Sequence, residues 1–162
     1  MSCSVDSGKL PTLDDWKRLG ARFNRIGAEV RRAGLVFAYH NHDFEFQPID
    51  GQAPYDVLLA ETDPALVRLE LDLYWMARAK RDPLAYFHKY PSRFALVHLK
   101  DMDANGAITE VGRGTIDFRR ILGQAGQAGM VHCFVEHDDP QDPLRSIETS
   151  LSYLRQNHLT AP

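Results

Sequence analysis

Four short apolar runs begin near residues 35, 66, 94 and 131, and each is followed by a helical pattern. The runs are Leu35-Val36-Phe37-Ala38-Tyr39, Leu66-Val67-Arg68-Leu69-Glu70-Leu71, Phe94-Ala95-Leu96-Val97 and Val131-His132-Cys133-Phe134-Val135. They read as buried strands, and their spacing fits βα units with right-handed crossovers in a parallel sheet. The helices between them carry start signals. Thr12 with Asp15 three residues on is a capping-box variant, and Trp16, Leu19, Phe23, Ile26 and Val30 then repeat at helical spacing as far as Gly34. Pro54 suits a first helical position, and Asp82-Pro83 and Asp142-Pro143 are N-cap and proline pairs. Asp117 caps a helix expected to run to Gly129, and the last helix is expected to turn Leu144, Ile147, Leu151 and Leu154 to the core. The segment 1–11 reads as a flexible leader and 12–162 as one domain.

Each of the four strands ends in a side chain that ligates metals or titrates: His40, Asp72, His98 and Glu136. Parallel α/β folds place their sites at the carboxyl ends of the strands. If neighbouring strands are parallel, the four converge on one rim. Two imidazoles and two carboxylates suit a divalent cation such as Mn²⁺, Co²⁺, Zn²⁺ or Mg²⁺. Plainer roles stand beside this one. His40 taken alone reads as a structural histidine, and Asp72 serves a cap or turn as readily as a metal. Glu136 follows an apolar run, where a carboxylate is costly unless paired or bound. His42 and Glu45, in the loop after the first strand, are candidates to touch substrate. Trp75 is a candidate pocket wall, or core. Lys100 is a candidate to hold a carbonyl or anionic oxygen, or a solvated lysine. Gly112-Arg113-Gly114 forms a tight loop whose N–H groups are candidates to meet a phosphate, although it is neither a P-loop nor a GxGxxG fingerprint.

Composition narrows the function classes. The 162 residues carry a net charge of −3, so no basic footprint for nucleic acid or an anionic membrane is expected. No stretch approaches the ~20 apolar residues of a membrane span. Met1–Lys9 lacks an apolar core, so no signal peptide is expected. Cys3 and Cys133 suggest neither a zinc site nor a disulfide framework, which makes a reducing cytoplasm the expected compartment.

Tyr39-His40-Asn41-His42-Asp43-Phe44-Glu45-Phe46, Leu71-Asp72-Leu73-Tyr74-Trp75, Val97-His98-Leu99-Lys100-Asp101, Val111-Gly112-Arg113-Gly114-Thr115-Ile116-Asp117-Phe118 and Val135-Glu136-His137-Asp138 follow one another in order. Together they resemble the sugar phosphate isomerase/epimerase family, the xylose-isomerase-like TIM barrels. The resemblance implies an α/β fold, a partial TIM-type barrel of four parallel βα units corresponding to the second half of the barrel. In ketose epimerases of that family Glu, Asp, His and Glu hold a divalent metal. The last three match Asp72, His98 and Glu136, and His40 falls where the first Glu stands. That departure bears on two-base epimerisation and resembles the inosose dehydratase branch.

The implied activity is metal-dependent isomerisation or epimerisation of a sugar or keto-polyol, by proton abstraction next to a carbonyl through an enediolate. Glu136 is the expected base and His40 the second acid–base group or a ligand, with Lys100 or His42 steadying the oxyanion. The alternatives are a keto-inositol-type dehydratase and an inactive barrel fragment that needs a partner chain. A further reading, an open flavodoxin-like sheet binding a nucleotide, lacks the glycine-rich loop. With no strong phosphate cradle, an unphosphorylated substrate is expected. A TIM barrel has eight units over ~250 residues, so a homo-oligomer or a partner half-barrel is the expected assembly.

Overall fold

Thr12 starts the first helix as a reciprocal cap: its hydroxyl accepts from the Asp15 N–H at 3.2 Å, and its own N–H donates to the Asp15 carboxylate at 3.0 Å. The computed structural model of the chain describes Ser2–Cys3 and residues 10–159. Helix α1 (Leu13–Arg32) follows the cap and buries Trp16 and Phe23. Then come β2 (Phe37–His40), α2 (Pro54–Glu61), β3 (Val67–Asp72), α3 (Leu73–Arg78), α4 (Pro83–Lys89) and β4 (Leu96–Leu99). A small hairpin, β5 (Asp101–Met102) with β6 (Ile108–Thr109), precedes α5 (Phe118–Leu122), α6 (Ala125–Ala128), β7 (His132–Val135) and α7 (Pro143–Gln156). Ser2–Cys3 form β1, so the five-stranded sheet runs β1-β2-β3-β4-β7 with every pairing parallel. Most of the expected leader lies outside the described residues. Within its described part, β1 pairs with Ala38 and Tyr39, and Leu10 packs on the core and accepts from the Trp16 indole N–H.

The sheet has two chemically different faces, because side chains alternate along a strand. On β3, Val67, Leu69 and Leu71 are at most 1% exposed and join the core, while Arg68, Glu70 and Asp72 occupy the other face. Phe37 and Tyr39 of β2 both meet Phe23 of α1, at 5.3 and 5.1 Å between ring centres. The helices therefore cover one apolar face, and the opposite face carries the charged groups. Strands β2 and β3 are buried as expected, but one of their two buried faces is polar, while β7 at the edge is largely exposed.

Other departures have local causes. Leu35 and Val36 are 59% and 61% exposed, because they precede the first ladder pair, Phe37 with Val67. The helix expected from Asp117 to Gly129 is two short helices interrupted at Gly123–Gln124. Gly129 still closes the second, with φ +77. Helix α7 turns Ser146, Ser150 and Leu154 inward, and Ser150 Oγ accepts from the Val111 N–H at 3.1 Å. Leu144, Ile147 and Leu151 are exposed instead of facing the core, as are Phe134 and Val135 on β7. They lie at the edge of the sheet, where no further strand–helix unit covers them among the described residues. No described helix is long and apolar enough to cross a membrane.

Candidate metal centre

The parallel register sets Asp72 beside His98, and His98 beside Phe134 two positions before Glu136. His40 closes β2 next door. The strand ends thus bring His40, Asp72, His98 and Glu136 together, with one ligand atom from each lying within 4.8 Å of the others. His40 Nε2 is 3.3 Å from Asp72 Oδ2, and His98 Nδ1 is 3.6 Å from the same oxygen. His98 Nδ1 also lies 2.6 Å from Glu136 Oε2.

Asp72 serves as the cap that its sequence position allowed. Its Oδ1 accepts from the Trp75 N–H at 3.0 Å and so caps α3, a helix the apolar pattern did not reveal. Its Oδ2 faces the cluster. Its own N–H donates to Asn41 Oδ1 at 3.1 Å, so a fully buried Asn41 ties the end of β2 to the end of β3. Burial would raise the Asp72 carboxyl. Hydrogen bonds with His40 and His98 and the charge of Lys100 outweigh it and hold the group far below the usual carboxylate range. Burial likewise opposes charge on His98, yet hydrogen bonds with Asp72 and Glu70 and the charge of Glu136 push it up to about 10.

Lys100 is placed differently from the sequence expectation. It is 2% exposed, and its ammonium lies 2.7 Å from Asp138, 3.0 Å from Glu136 and 3.5 Å from Asp72. Burial works against its charge, but Asp138 and Asp72 raise its pKa. With three carboxylates around it, the ammonium balances the negative charge of the cluster. Glu45 is also corrected. It is fully buried, accepting from Tyr39 Oη at 2.6 Å and from the His42 N–H at 2.9 Å, and so it braces the loop. Burial pushes its pKa up to about 7.

His42 and Trp75 do border the cluster. The His42 ring lies 5.0 Å from His40, 5.2 Å from Trp75 and stacked on Phe44 at 5.7 Å. Burial, followed by the charge of His40, lowers the pKa of His42, and its Nδ1 is buried with no hydrogen-bond partner. The phosphate reading of Gly112-Arg113-Gly114 fails because the loop's donors are occupied. Asp101 Oδ2 accepts from the Gly112 and Gly114 N–H groups at 2.9 and 3.0 Å. Its Oδ1 accepts from Met102 and Ile116 at 2.8 and 3.1 Å. A Cβ at Gly114 would strike the Asp101 carboxylate, so close approach of loop and carboxylate requires glycine there.

The residues present fit a divalent cation. His98 Nδ1 and Glu136 Oε2 are both buried and approach closely, yet neither makes an aligned hydrogen bond. A divalent cation shared with His40 and Asp72 would satisfy both atoms. The nitrogen and carboxylate set suits Mn²⁺, Co²⁺ or Zn²⁺.

Residues 3–157 match the xylose isomerase-like TIM barrel family. The chain belongs to that family. Within it, the inosose dehydratase of Lacticaseibacillus casei is 29% identical over 148 residues, covering 78% of this chain and 49% of that protein. A sugar phosphate isomerase/epimerase from Parabacteroides distasonis ATCC 8503 superposes with a TM-score of 0.79 at 31% identity, covering 89% of this chain and 53% of the other. The 3-keto-D-glucoside 4-epimerase of E. coli shares the fold, with a TM-score of 0.67 at 21% identity over 90% of this chain and 55% of its own. The chain thus spans about half the length of the xylose isomerase-like relatives it matches.

Proposed function

We propose that this chain carries the metal-binding half of an enzyme that removes a proton next to the carbonyl of an unphosphorylated sugar or keto-polyol. The observation that supports this most is the convergence of His40, Asp72, His98 and Glu136 within 4.8 Å at the strand ends. These four would hold a divalent cation, which would supply Lewis acidity toward the carbonyl oxygen.

Glu136 is the base. It is the more exposed of the two carboxylates, with 37% of its side chain accessible against none of Asp72. Asp72 is committed to capping α3 and to the two histidines, so it holds position. His40, with 15% of its side chain exposed, is the second acid–base group on the far side of Asp72 from Glu136. His42 borders His40 and is the group that meets a substrate oxygen; Trp75 walls the site. Charge argues against a phosphorylated substrate. Glu70, Asp72, Glu136 and Asp138 outnumber the positive charge of Lys100 and a divalent cation, and Asp101 fills the one glycine loop considered as a phosphate cradle.

Reprotonation at the neighbouring carbon gives isomerisation, and reprotonation on the opposite face gives epimerisation. The second reading is loss of a β-hydroxyl. It is favoured by His40 standing where a second carboxylate base is expected, and by the inosose dehydratase relatives. The shared step is tested by incubating the Mn²⁺-loaded protein with a panel of neutral keto-sugars and keto-inositols in D₂O, followed by NMR. Deuterium entering next to the carbonyl is expected. A new isomer then supports the first outcome, and an enone or diketone absorbance the second. A chain that binds Mn²⁺ yet exchanges no proton on any of these compounds contradicts the proposal.

A further inference from the structure

Glu70 has no part in the four-residue cluster, yet it lies directly beneath it. It stands two positions before Asp72, on the same face of β3, and is 7% exposed. Its backbone neighbours across the sheet are His40 and Leu96. The inward layers of such barrels are filled mainly by branched apolar side chains, and a buried carboxylate there is costly unless it is engaged. Its Oε1 lies 3.2 Å from His98 Nε2.

A ring that binds a metal is neutral, and this contact then decides which of its nitrogens keeps the hydrogen. An ionised carboxylate only accepts, so the hydrogen belongs on Nε2. The other nitrogen, Nδ1, is then the one presented to Asp72 and Glu136 at 3.6 and 2.6 Å. The opposite tautomer would set the lone pair of Nε2 against the lone pairs of Glu70 and block Nδ1 with a proton. We propose that Glu70 is a positioning residue, which fixes the tautomer and ring angle of His98 so that Nδ1 is the metal ligand. The inference rests on the metal reading above and deepens it: the site is built in two layers of β3, Asp72 in the ligand layer and Glu70 as the support below. Carboxylates placed behind ligating histidines typically contribute 10–100-fold to metal affinity.

The experiment compares the parent chain with Glu70→Ala and Glu70→Gln. Free Mn²⁺ is titrated by electron paramagnetic resonance, and circular dichroism of the metal-free chains checks that each is folded. Glu70→Ala is expected to weaken Mn²⁺ binding about 10–100-fold. Glu70→Gln keeps an oxygen that accepts from Nε2–H and is expected to recover most of the affinity. Long-range ¹H–¹⁵N NMR of the Zn²⁺-loaded parent is expected to show His98 protonated at Nε2 and coordinated through Nδ1, a signature that a purely structural role for Glu70 would not require.

Binding by a folded Glu70→Ala chain at parental affinity overturns the inference and leaves the metal reading standing. So does coordination through Nε2 in the parent. A parent chain that binds neither ion overturns both. Should Glu70→Ala fail to fold, the parent spectrum and the Glu70→Gln titration decide: coordination through Nδ1 with near-parental affinity supports the inference, and a Gln variant as weak as a chain lacking His98 contradicts it.

Discussion

Strands β3 and β7 each deliver a carboxylate to the same cluster, and they hold it in opposite ways. β3 is paired on both sides, five of its six residues are buried, and both Asp72 oxygens are committed before any ligand arrives. Among the described residues β7 is paired on one side only, with Phe134 and Val135 exposed, and Glu136 beyond it forms ion pairs with His98 and Lys100. The contrast teaches where rigidity is placed. The sheet centre supplies the fixed carboxylate, whose position is set by packing and by the α3 cap. The sheet edge supplies the group proposed to move a proton, which needs freedom to change partners.

Removing each carboxylate is the sharpest test of that contrast. Asp72→Ala is expected to have the largest effect, about 3–5 kcal/mol of lost stability, because it leaves the Lys100 and His98 charges short of a buried partner. The missing α3 cap alone accounts for about 1 kcal/mol of this. Urea unfolding measures it, and a loss below about 1 kcal/mol would place Asp72 on the same footing as Glu136.

The loop on the central side has its own signature in pH. Glu45 titrates near 7 when folded, above its ordinary 4.5, so the folded chain binds this proton more tightly than the unfolded chain does. Its contribution is therefore fully present below about pH 4.5 and is lost as pH rises through about 7. That is a decline of roughly 3 kcal/mol at most, at 1.36 kcal/mol per unit. Glu45→Gln should flatten this part of the stability profile. Parallel profiles for parent and variant would show that Glu45 is not the group responsible.

At the edge the expected effects are smaller. Glu136→Ala should abolish metal-dependent stabilisation while changing metal-free stability by less than about 1 kcal/mol, since Lys100 retains Asp138 and Asp72. Ile147→Ser on the exposed face of α7 should fall within about 0.5 kcal/mol of the parent. A loss several times larger in dilute solution would mean that this face is covered and that β7 is not a free edge.

Chemistry that acts over three or four residues was legible in the sequence. The Thr12–Asp15 box, the Asp82-Pro83 and Asp142-Pro143 starts and the strand-end positions of the four cluster residues all read directly, because caps and strand ends are local. Helix α3 is only six residues long and its start rests on Asp72, which reads as a cap or as a ligand with equal ease. The hairpin from Asp101 to Thr109 has strands of two residues, too short for any period, although Asn105-Gly106 marked its turn. The stripe on α7 showed that an apolar face exists but not what covers it, and the buried face turned out to carry Ser146 and Ser150. Glu45 and Lys100 look like surface groups in any sequence; only the packed loop shows them buried. Glu70 left a signal that went unused. Val67-Arg68-Leu69-Glu70-Leu71-Asp72 alternates strictly, which announces a strand with one charged face.

The central claim is that four strand ends form one site for a divalent cation. The most direct measurement is thermal unfolding of the parent and Asp72→Ala chains over a series of Mn²⁺ concentrations, followed by circular dichroism. The account predicts a parent midpoint that climbs steadily with the logarithm of Mn²⁺ concentration, as linkage requires of an ion bound only by the folded state, and an Asp72→Ala midpoint that stays level. A parent midpoint indifferent to Mn²⁺, Co²⁺ and Zn²⁺ alike, or an equal climb in both chains, would contradict it.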